Sequence, residues 1–428
     1  MSNPSKLVST RSIILWFIGT SFALFTSPSL FAETSNAKSL FSELKQTVYQ
    51  IRVIDQGSGD KYTIGSGFLI SDQGHIATNF HVVSSYIHDP EKFRLEYVRN
   101  DGSIASASLI NFDIIRDLAV IQSADKQSQF LTINPTPLDK GDRIYSMGNP
   151  HDLGMTIIEG NYNGLLQASR YQKILFSGSL NSGMSGGPAI NQDGEVIGIN
   201  VSTGGDQISF LVPAIYLKQL ISQPPLTNDY QAHIEQALLD DQDQFYQPLL
   251  AAPFPTSTLG ELTIASKISD ALKCWGHSTE EDETRYQGFH QHCRSEDETY
   301  IESDFFVGDF FYDYEWIKAE EDLNSFQFYS AIEERFTHHD LDNAYYEGSV
   351  SNFKCQSDFI EIDQRSWKVS SCFRNYLDYP ELFDALHLMV SVDHPEKAMV
   401  AKIGASGISQ KNAIVLIKRF MESLTWNN

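Results

Sequence analysis

Hydrophobic residues between Val48 and Pro213 occur in short runs, with turn residues about every 8–12 positions. The runs at 48–53, 75–78 and 93–98 are rich in β-branched and aromatic residues, which is typical of strands. No part of this region keeps the helical spacing of apolar residues over a long stretch. The pattern predicts an all-β fold in which two small antiparallel barrels pack together.

Helical spacing of apolar residues flanks this strand-rich region. It predicts helices at 39–46, 214–222 and 229–242, followed by a proline-bounded segment at 248–255. We therefore expect a first domain at 38–222 and a helical linker at 223–258.

The composition changes from Leu259 onward. Between Glu280 and Asp342, nineteen acidic residues stand against four basic ones, and acidic and aromatic residues alternate at 304–316. Such alternation suits strands with one buried face, and helical spacing at 409–425 ends the chain, so an α+β domain is expected at 259–428. The acidic surface is interpreted either as a platform for calcium or for basic, unfolded substrate, or as a solvated face. The ordered spacing of a calcium loop is missing.

Residues 1–32 have the order of an export signal. Basic residues precede an apolar run at 13–25, and cleavage is expected after Ala32. Because this run is shorter than the roughly 20 residues that span a bilayer, a cleaved signal is favoured over an uncleaved anchor. The sequence therefore predicts an exported protein, periplasmic or secreted, that meets the membrane only through this signal.

The four cysteines, Cys274, Cys293, Cys355 and Cys372, all lie in the last third of the chain. Their even number in an exported protein predicts two disulfides. Three pairings are open, and the neighbour pairing, which closes the shorter loops, is preferred. The spacing of zinc ligands is missing, so neither a metal site nor a cofactor is expected.

The charge of the chain limits the classes of molecule that it can bind. The formal net charge is −24 over 428 residues, with a sequence pI near 4.8. This balance argues against nucleic acid or anionic lipid as the main partner.

Ser185 lies in the glycine-rich sequence Gly183-Met184-Ser185-Gly186-Gly187-Pro188. Glycine permits a sharp turn and a close approach of backbone to ligand. The N–H groups of Gly183 and Ser185 can then converge on one point, as an oxyanion hole requires. An ordinary surface turn with an incidental serine is the alternative, and a nearby base and acid would decide between the two.

His81 and Asp117 are the candidate base and acid. His81 follows a predicted strand, where a barrel presents side chains to a cleft, and Asp117 opens a buried apolar strand. A carboxylate in that position is costly unless a neighbour needs its charge. Asp113 is the competitor, but it lacks the apolar run. The order His81, Asp117, Ser185 is one of the chain orders of the serine triad.

Together these motifs resemble the trypsin-like serine proteases, and among them the HtrA/Deg-like branch of exported bacterial proteases. The resemblance covers about residues 45–220 and rests on the following segments: Gly65-Ser66-Gly67-Phe68, Thr78-Asn79-Phe80-His81-Val82-Val83, Asp117-Leu118-Ala119-Val120, Gly148-Asn149-Pro150, the Ser185 loop and Val196-Ile197-Gly198-Ile199-Asn200. It implies a chymotrypsin-like double barrel followed by the disulfide-containing α+β domain. Ser185 would attack a peptide carbonyl, His81 would carry the proton, and Asp117 would orient His81. The partners implied are polypeptide substrates, and a homo-oligomer is compatible with the family.

The resemblance also places the pocket for the residue before the scissile bond. Its expected lining comprises Ser179, Leu180, Asn200, Val201 and Ser202, none of which is charged. Ser179 stands where a preference for Lys or Arg would require a carboxylate. A small or medium apolar substrate side chain is therefore expected.

Two departures from the family are visible. Met184 stands where HtrA-like enzymes usually have Asn and trypsin has Asp. The zymogen switch of trypsin depends on that Asp, so activation of this protein should not need the switch. No PDZ pattern follows the protease region. A protein-binding or chaperone-like module on an inactive protease fold, and a regulatory protease released by a partner, are the alternative hypotheses.

Overall fold

The structure is a computed structural model that describes residues 36–427, except 127, 228, 280–284, 296, 304, 321–322 and 338–347. The expected export signal at 1–32 lies outside the described residues, as does part of the acidic run. Within the described residues, no helix has the length and apolar character needed to cross a membrane.

The first strands close into a six-stranded antiparallel barrel because alternate side chains point into one core. On β4, for example, Phe93, Leu95 and Tyr97 are buried, whereas Arg94 is exposed. The elements are α1 (Asn36–Leu44), a 3₁₀ turn (Lys45–Thr47), β1 (Val48–Asp55), β2 (Lys61–Leu69), β3 (His75–Thr78), α2 (Phe80–His88), β4 (Phe93–Val98), β5 (Ile104–Asp113) and β6 (Leu118–Ser123). The neighbour order is β1-β2-β3-β6-β5-β4.

A second six-stranded barrel follows, with neighbour order β10-β11-β12-β9-β8-β7. Its elements are β7 (Arg143–Gly148), a 3₁₀ turn (Pro150–Asp152), β8 (Thr156–Leu165), β9 (Ile174–Phe176), β10 (Pro188–Ile190), β11 (Val196–Gly205), β12 (Ile208–Pro213) and α3 (Ala214–Ile221). The predicted chymotrypsin-like double barrel is confirmed.

Helix α4 (Tyr230–Leu250) connects the barrels to the rest of the chain. The Asp229 carboxylate accepts the Ala232 N–H at 3.2 Å and caps its first turn. Its buried residues recur at every fourth position, from Ile234 to Leu250. The first of these pack against the first barrel and the last against the C-terminal sheet. The helix is longer than the expected 229–242. It continues to Leu250 and includes Pro248 in its last turn.

The C-terminal region is built on a seven-stranded antiparallel sheet of order β15-β16-β19-β23-β22-β21-β20. A three-stranded sheet, β13-β14-β24, and a separate hairpin, β17-β18, accompany it. The elements are β13 (Thr256–Leu259), β14 (Leu262–Ala265), β15 (Leu272–Ser278), β16 (Tyr286–Ser295), β17 (Thr299–Glu302), β18 (Phe305–Val307), β19 (Phe310–Ala319), α5 (Ser325–Thr337), β20 (Lys354–Ile362), β21 (Arg365–Asn375), β22 (Leu382–Ser391), β23 (Lys397–Ser409), α6 (Gln410–Glu422) and β24 (Thr425–Trp426).

Two disulfides link neighbouring strands of this sheet. Cys274 pairs with Cys293 between β15 and β16, and Cys355 pairs with Cys372 between β20 and β21. The neighbour pairing is thus confirmed, as is the α+β character of the region.

The C-terminal region and the first barrel share one hydrophobic cluster. Ile301, Phe305 and Val307 of the hairpin, with Tyr376, are buried in the same cluster as Phe80 of α2. Because this contact removes apolar surface of both parts from water, it stabilises their association. The expected boundaries at 38–222, 223–258 and 259–428 stay predictions.

Candidate active site

His81 and Asp117 form the central polar contact of the site. His81 lies in the first turn of α2, and Asp117 immediately precedes β6. The Asp117 Oδ2 lies 2.7 Å from His81 Nδ1, and its Oδ1 accepts the backbone N–H of His81 at 2.8 Å. One carboxylate therefore fixes both the backbone and the imidazole of His81, and it orients the other ring nitrogen, Nε2, away from the acid.

Asp117 adopts a backbone conformation that is unusual for a residue other than glycine. Its φ is 54°, in the left-handed region, which costs about 1 kcal/mol or more. The Asn79 side-chain amide donates to the Asp117 carbonyl at 2.7 Å and holds this turn. Asp113, the competitor, instead pairs with Arg116 at 3.7 Å.

Two effects oppose each other in the pKa of His81. Burial disfavours the imidazolium and lowers the pKa, whereas the charge of Asp117 and its hydrogen bond raise it. The second effect wins, so the pKa of His81 lies above its ordinary value of 6.5. This arrangement suits a base that becomes charged during reaction.

The glycines of the Ser185 loop are required by the close approach of neighbouring backbone. Gly183 has a φ of 92°, and a Cβ there would lie 2.5 Å from the Asn149 carbonyl oxygen. Gly186 has a φ of 83°, and a Cβ there would lie 2.3 Å from the Ser66 carbonyl oxygen. Only glycine fits at these two positions without moving the chain.

Ser66 and Asn200 hold the loop through its carbonyl groups. The Ser66 hydroxyl donates to the Gly183 carbonyl at 2.7 Å and accepts the Asn149 N–H at 3.0 Å. The Asn200 amide donates to the carbonyls of Met184 and Met147, each at 3.1 Å. Sequence reasoning missed the role of Ser66. The motif that contains it was recognised, but the pairing of β2 with the Ser185 loop is a tertiary contact.

The peptide between Ser182 and Gly183 has a fixed orientation. The Ser182 carbonyl accepts the backbone N–H of His151 at 2.8 Å. Because the C=O and N–H of a trans peptide point in opposite directions, the Gly183 N–H points away from His151. Among the described residues, neither Gly183 nor Ser185 donates its N–H to a backbone acceptor. Both N–H groups therefore lack a backbone partner, as the donors of an oxyanion hole must.

The Ser185 hydroxyl is directed at β11 in this structure. Its Oγ donates to the Val201 carbonyl at 3.3 Å. Its backbone carbonyl accepts the Ser66 N–H at 2.8 Å, which anchors the residue to β2 of the first barrel. Ser185 thus lies where the two barrels meet, with a hydroxyl that rotation about χ1 can redirect.

A cavity of about 460 Å³ lies beside His81 and Asp117 and is also lined by Val201 and Ser202. The other expected pocket residues are placed differently. Ser179 is exposed, Leu180 is buried and donates its N–H to the Ser209 hydroxyl at 3.1 Å, and the Asn200 side chain is fully buried. The structure therefore brings Val201 and Ser202 to the cavity and uses Asn200 to support the loop.

Met184 packs beneath the loop. Its side chain is fully buried in the core of the second barrel, in a cluster that includes Ile144, Phe176 and Leu211. A long, flexible thioether fills such an irregular apolar space well.

The fold is a double barrel, with a His–Asp pair on the first barrel. A serine in a glycine turn lies at the junction of the two barrels. Together these features define the trypsin-like peptidase class. The family model of the trypsin-like peptidase domain matches residues 65–199. A probable periplasmic serine endoprotease, DegP-like, from Chlamydia muridarum is 34% identical over 170 residues, which is 37% of this chain and 33% of the relative. The serine protease HTRA1 of Xenopus tropicalis is 33% identical over 169 residues, 37% of this chain and 35% of the relative.

A solved structure, the serine endoprotease from Yersinia pestis, is 26% identical with a TM-score of 0.38, over 44% of this chain and 65% of that one. The chain spans about a third of the length of the curated relatives it matches. Its residues 65–199 are thus similar to the trypsin-like peptidase domain.

Proposed function

We propose that the protein is an exported serine endopeptidase that cleaves unfolded or envelope polypeptides. The observation that carries the proposal is the His81–Asp117 contact at 2.7 Å, together with a serine loop in which two N–H groups have no backbone acceptor among the described residues. The relatives named periplasmic serine endoproteases support both the chemistry and the export.

In the proposed reaction, the Ser185 hydroxyl leaves the Val201 carbonyl and donates to Nε2 of His81. Ser185 Oγ then attacks the scissile carbonyl while His81 takes its proton. Asp117 stabilises the imidazolium and keeps the ring oriented. The N–H groups of Gly183 and Ser185 bind the developing oxyanion, and one such donor is typically worth about 10²–10³ in kcat. His81 finally gives the proton to the leaving amine, and water hydrolyses the acyl-enzyme.

The expected pocket residues are uncharged, which supports a preference for a small or medium apolar side chain before the scissile bond. Val201 and Ser202 line the cavity beside His81, which Arg170, Lys173 and Glu298 also line, and the expected pocket residue Ser179 carries no charge. A survey of cleavage sites in casein would test this preference, and cleavage concentrated after Lys or Arg would contradict it.

The test of the activity combines labelling and cleavage. The full chain should react with a serine-directed fluorophosphonate and should degrade casein, and Ser185→Ala should lose both while keeping its fold. Ser182→Ala is the matched control, because Ser182 is an exposed serine of the same loop that is held through its carbonyl. It should keep both activities. Casein degradation that persists in Ser185→Ala would contradict the assignment.

The second candidate function is a protein-binding or chaperone-like module on an inactive protease fold. The hydrogen bond from Ser185 to Val201, rather than to His81, is the observation that favours it. A wild-type chain that suppresses aggregation of an unfolded protein, but is neither labelled nor proteolytic, would establish this alternative.

Export and assembly are separate parts of the proposal. Sequencing the N-terminus of the mature protein should give a start after Ala32, and a start before residue 20 would refute the cleaved signal. Light scattering of the purified protein would decide whether it is a homo-oligomer.

A further inference from the structure

The hairpin β17–β18 of the C-terminal region lies directly on the helix that carries His81. The His88 Nε2–H donates to the Ile301 carbonyl at 3.1 Å, and the hydroxyls of Tyr300 and Ser84 are 3.4 Å apart. Ile301 is buried in the core of the first barrel. Polar and apolar contacts together therefore fix the hairpin on α2.

The base of the same hairpin is tied to the second barrel. Asp297 is buried and accepts the Ser169 hydroxyl at 2.8 Å as well as the backbone N–H of Arg170. The hydroxyls of Tyr171 and Thr299 lie 3.1 Å apart. Both Ser169 and Tyr171 belong to the loop between β8 and β9. The hairpin thus bridges the two barrels at the edge of the cleft between them.

Tyr300 is the hairpin residue whose ring contacts His81. Its ring lies 5.9 Å from the His81 ring, centroid to centroid, in an edge-to-face arrangement at 73°. Phe306, its partner across the hairpin, packs against it at 5.4 Å. Both side chains are only half-buried, and both line the cavity that contains His81 and Val201.

The cavity has further apolar lining. Ile114 and Ile115, three and two residues before Asp117, line it together with Tyr216 of α3, alongside the charged Arg116, Arg170, Lys173 and Glu298. An apolar side chain that packs against Tyr300, Phe306 and Ile115 would remove apolar surface from water. Aromatic rings at this spacing also favour a further ring in edge-to-face contact.

We propose that Tyr300 determines substrate specificity, by forming with Phe306 and Ile115 a second subsite, for an aromatic or branched aliphatic side chain of a substrate residue other than the one before the scissile bond. The proposal rests on the proposed endopeptidase function and assigns to the C-terminal region one wall of the active site. Because the hairpin bounds the cleft, the substrate must enter as an extended segment, which is how an unfolded polypeptide presents itself.

The test compares Tyr300→Ala with Tyr300→Phe and with Tyr329→Ala. Tyr329 is an exposed tyrosine of α5, outside the lining of the cavity, and serves as the matched control. Each full-length variant is assayed for its rate of fluorophosphonate labelling and for its cleavage profile on a peptide library. The labelling rate reports Ser185 and His81 without a peptide in the cleft, whereas the profile reports the subsite.

We expect Tyr300→Ala to lower kcat/KM about tenfold or more for peptides with an aromatic or branched aliphatic residue in the subsite, relative to glycine-containing peptides. The labelling rate should fall by less than this selective loss, and Tyr300→Phe should restore the profile because it restores the ring. Tyr329→Ala should behave as wild type. If Tyr300→Ala does not fold, Tyr300→Phe and Tyr300→Leu can be compared instead. Only the ring of Phe should preserve the selection of peptides with aromatic residues.

The outcomes separate the two proposals. A wild-type chain that is neither labelled nor proteolytic overturns the endopeptidase and this inference together. An active wild type whose selectivity is unchanged in Tyr300→Ala, or lowered equally for all peptides, overturns this inference alone.

Discussion

The side-chain amide of Asn200 donates to the carbonyl of Met184 at 3.1 Å, so a fully buried residue of β11 holds the peptide directly before Ser185. The other end of this side chain accepts the Ser146 hydroxyl at 2.8 Å. The loop that carries the proposed nucleophile is therefore positioned from the interior of the second barrel.

Asn200→Ala should lower both stability and kcat. The carbonyls of Met147 and Met184 would lose a buried donor, which costs about 1–3 kcal/mol, and the proposed oxyanion donors, Gly183 and Ser185, would lose their support. Denaturant unfolding and casein turnover measure the two effects. Asn191→Ala is the control, because Asn191 is also buried in this barrel but bonds only within its own turn. It should reduce stability with little effect on kcat, and an equal loss of kcat would refute the role of Asn200.

Asp117→Asn should reduce kcat by about 10⁴, because an amide cannot stabilise the imidazolium and favours the wrong tautomer of His81. Asp113→Asn, four residues earlier, should keep activity within a few-fold, since Asp113 contacts Arg116 rather than His81. Steady-state kinetics on a fluorogenic peptide would check both. Comparable losses in the two variants would show that the acid is wrongly assigned.

The pKa of His81 should depend on the charge of Asp117. In Ser185→Ala, the NMR midpoint of His81 should lie above 6.5, the ordinary value. Asp117→Asn should move it below 6.5, because burial then acts alone. A raised pKa in the folded state stabilises the protonated form, so this contribution to stability is complete below pH 6.5 and is lost as pH rises through the raised pKa. If the titration midpoint of His81 were the same with and without Asp117→Asn, the result would contradict the contact between His81 and Asp117.

Met184→Asn, which gives the loop the residue usual in HtrA-like enzymes, should destabilise this protein by at least about 2 kcal/mol. The amide would enter an apolar cluster and leave a space that a methionine filled. Met184→Leu, which keeps the volume, should cost less than about 1.5 kcal/mol. Thermal or urea unfolding of the pair measures the difference, and equal stabilities would argue against the packing role.

His387 should make the protein sensitive to mild acid. Burial lowers the pKa of His387 to about 4, from 6.5. It shares a hydrogen bond of 2.8 Å with Ser371, and among the described residues its Nε2 faces no partner. A depressed pKa favours the neutral form in the folded state. Stability from this residue is therefore present above pH 6.5 and is lost as pH falls toward 4, by about 3 kcal/mol in all.

Urea unfolding at pH 7 and pH 4.5 tests this prediction. His387→Gln should reduce the pH dependence of the unfolding free energy, because the buried imidazole is then absent. An acid dependence that is the same in this variant and the wild type would exclude His387 as its source.

The amino-acid sequence by itself predicted the double barrel, the short helix after it and the His81–Asp117–Ser185 candidates, and it favoured the observed cysteine pairing among the three that it left open. These depend on local patterns: alternation along strands, glycine at positions where backbone passes close to backbone, and cysteines close in sequence on adjacent strands. Strand β4, at Phe93–Val98, was predicted with its observed bounds for this reason.

The tertiary structure alone decided what surrounds the site. Ser66 supports the Ser185 loop because β2 passes beneath it, Asn200 turns inward rather than toward substrate, and Tyr300 reaches His81 across more than two hundred residues of chain. Such contacts leave no periodic trace in the sequence, since each joins two segments whose local patterns are satisfied independently. The packing of the C-terminal region on α2 brings them together by burying apolar surface that neither segment could bury alone.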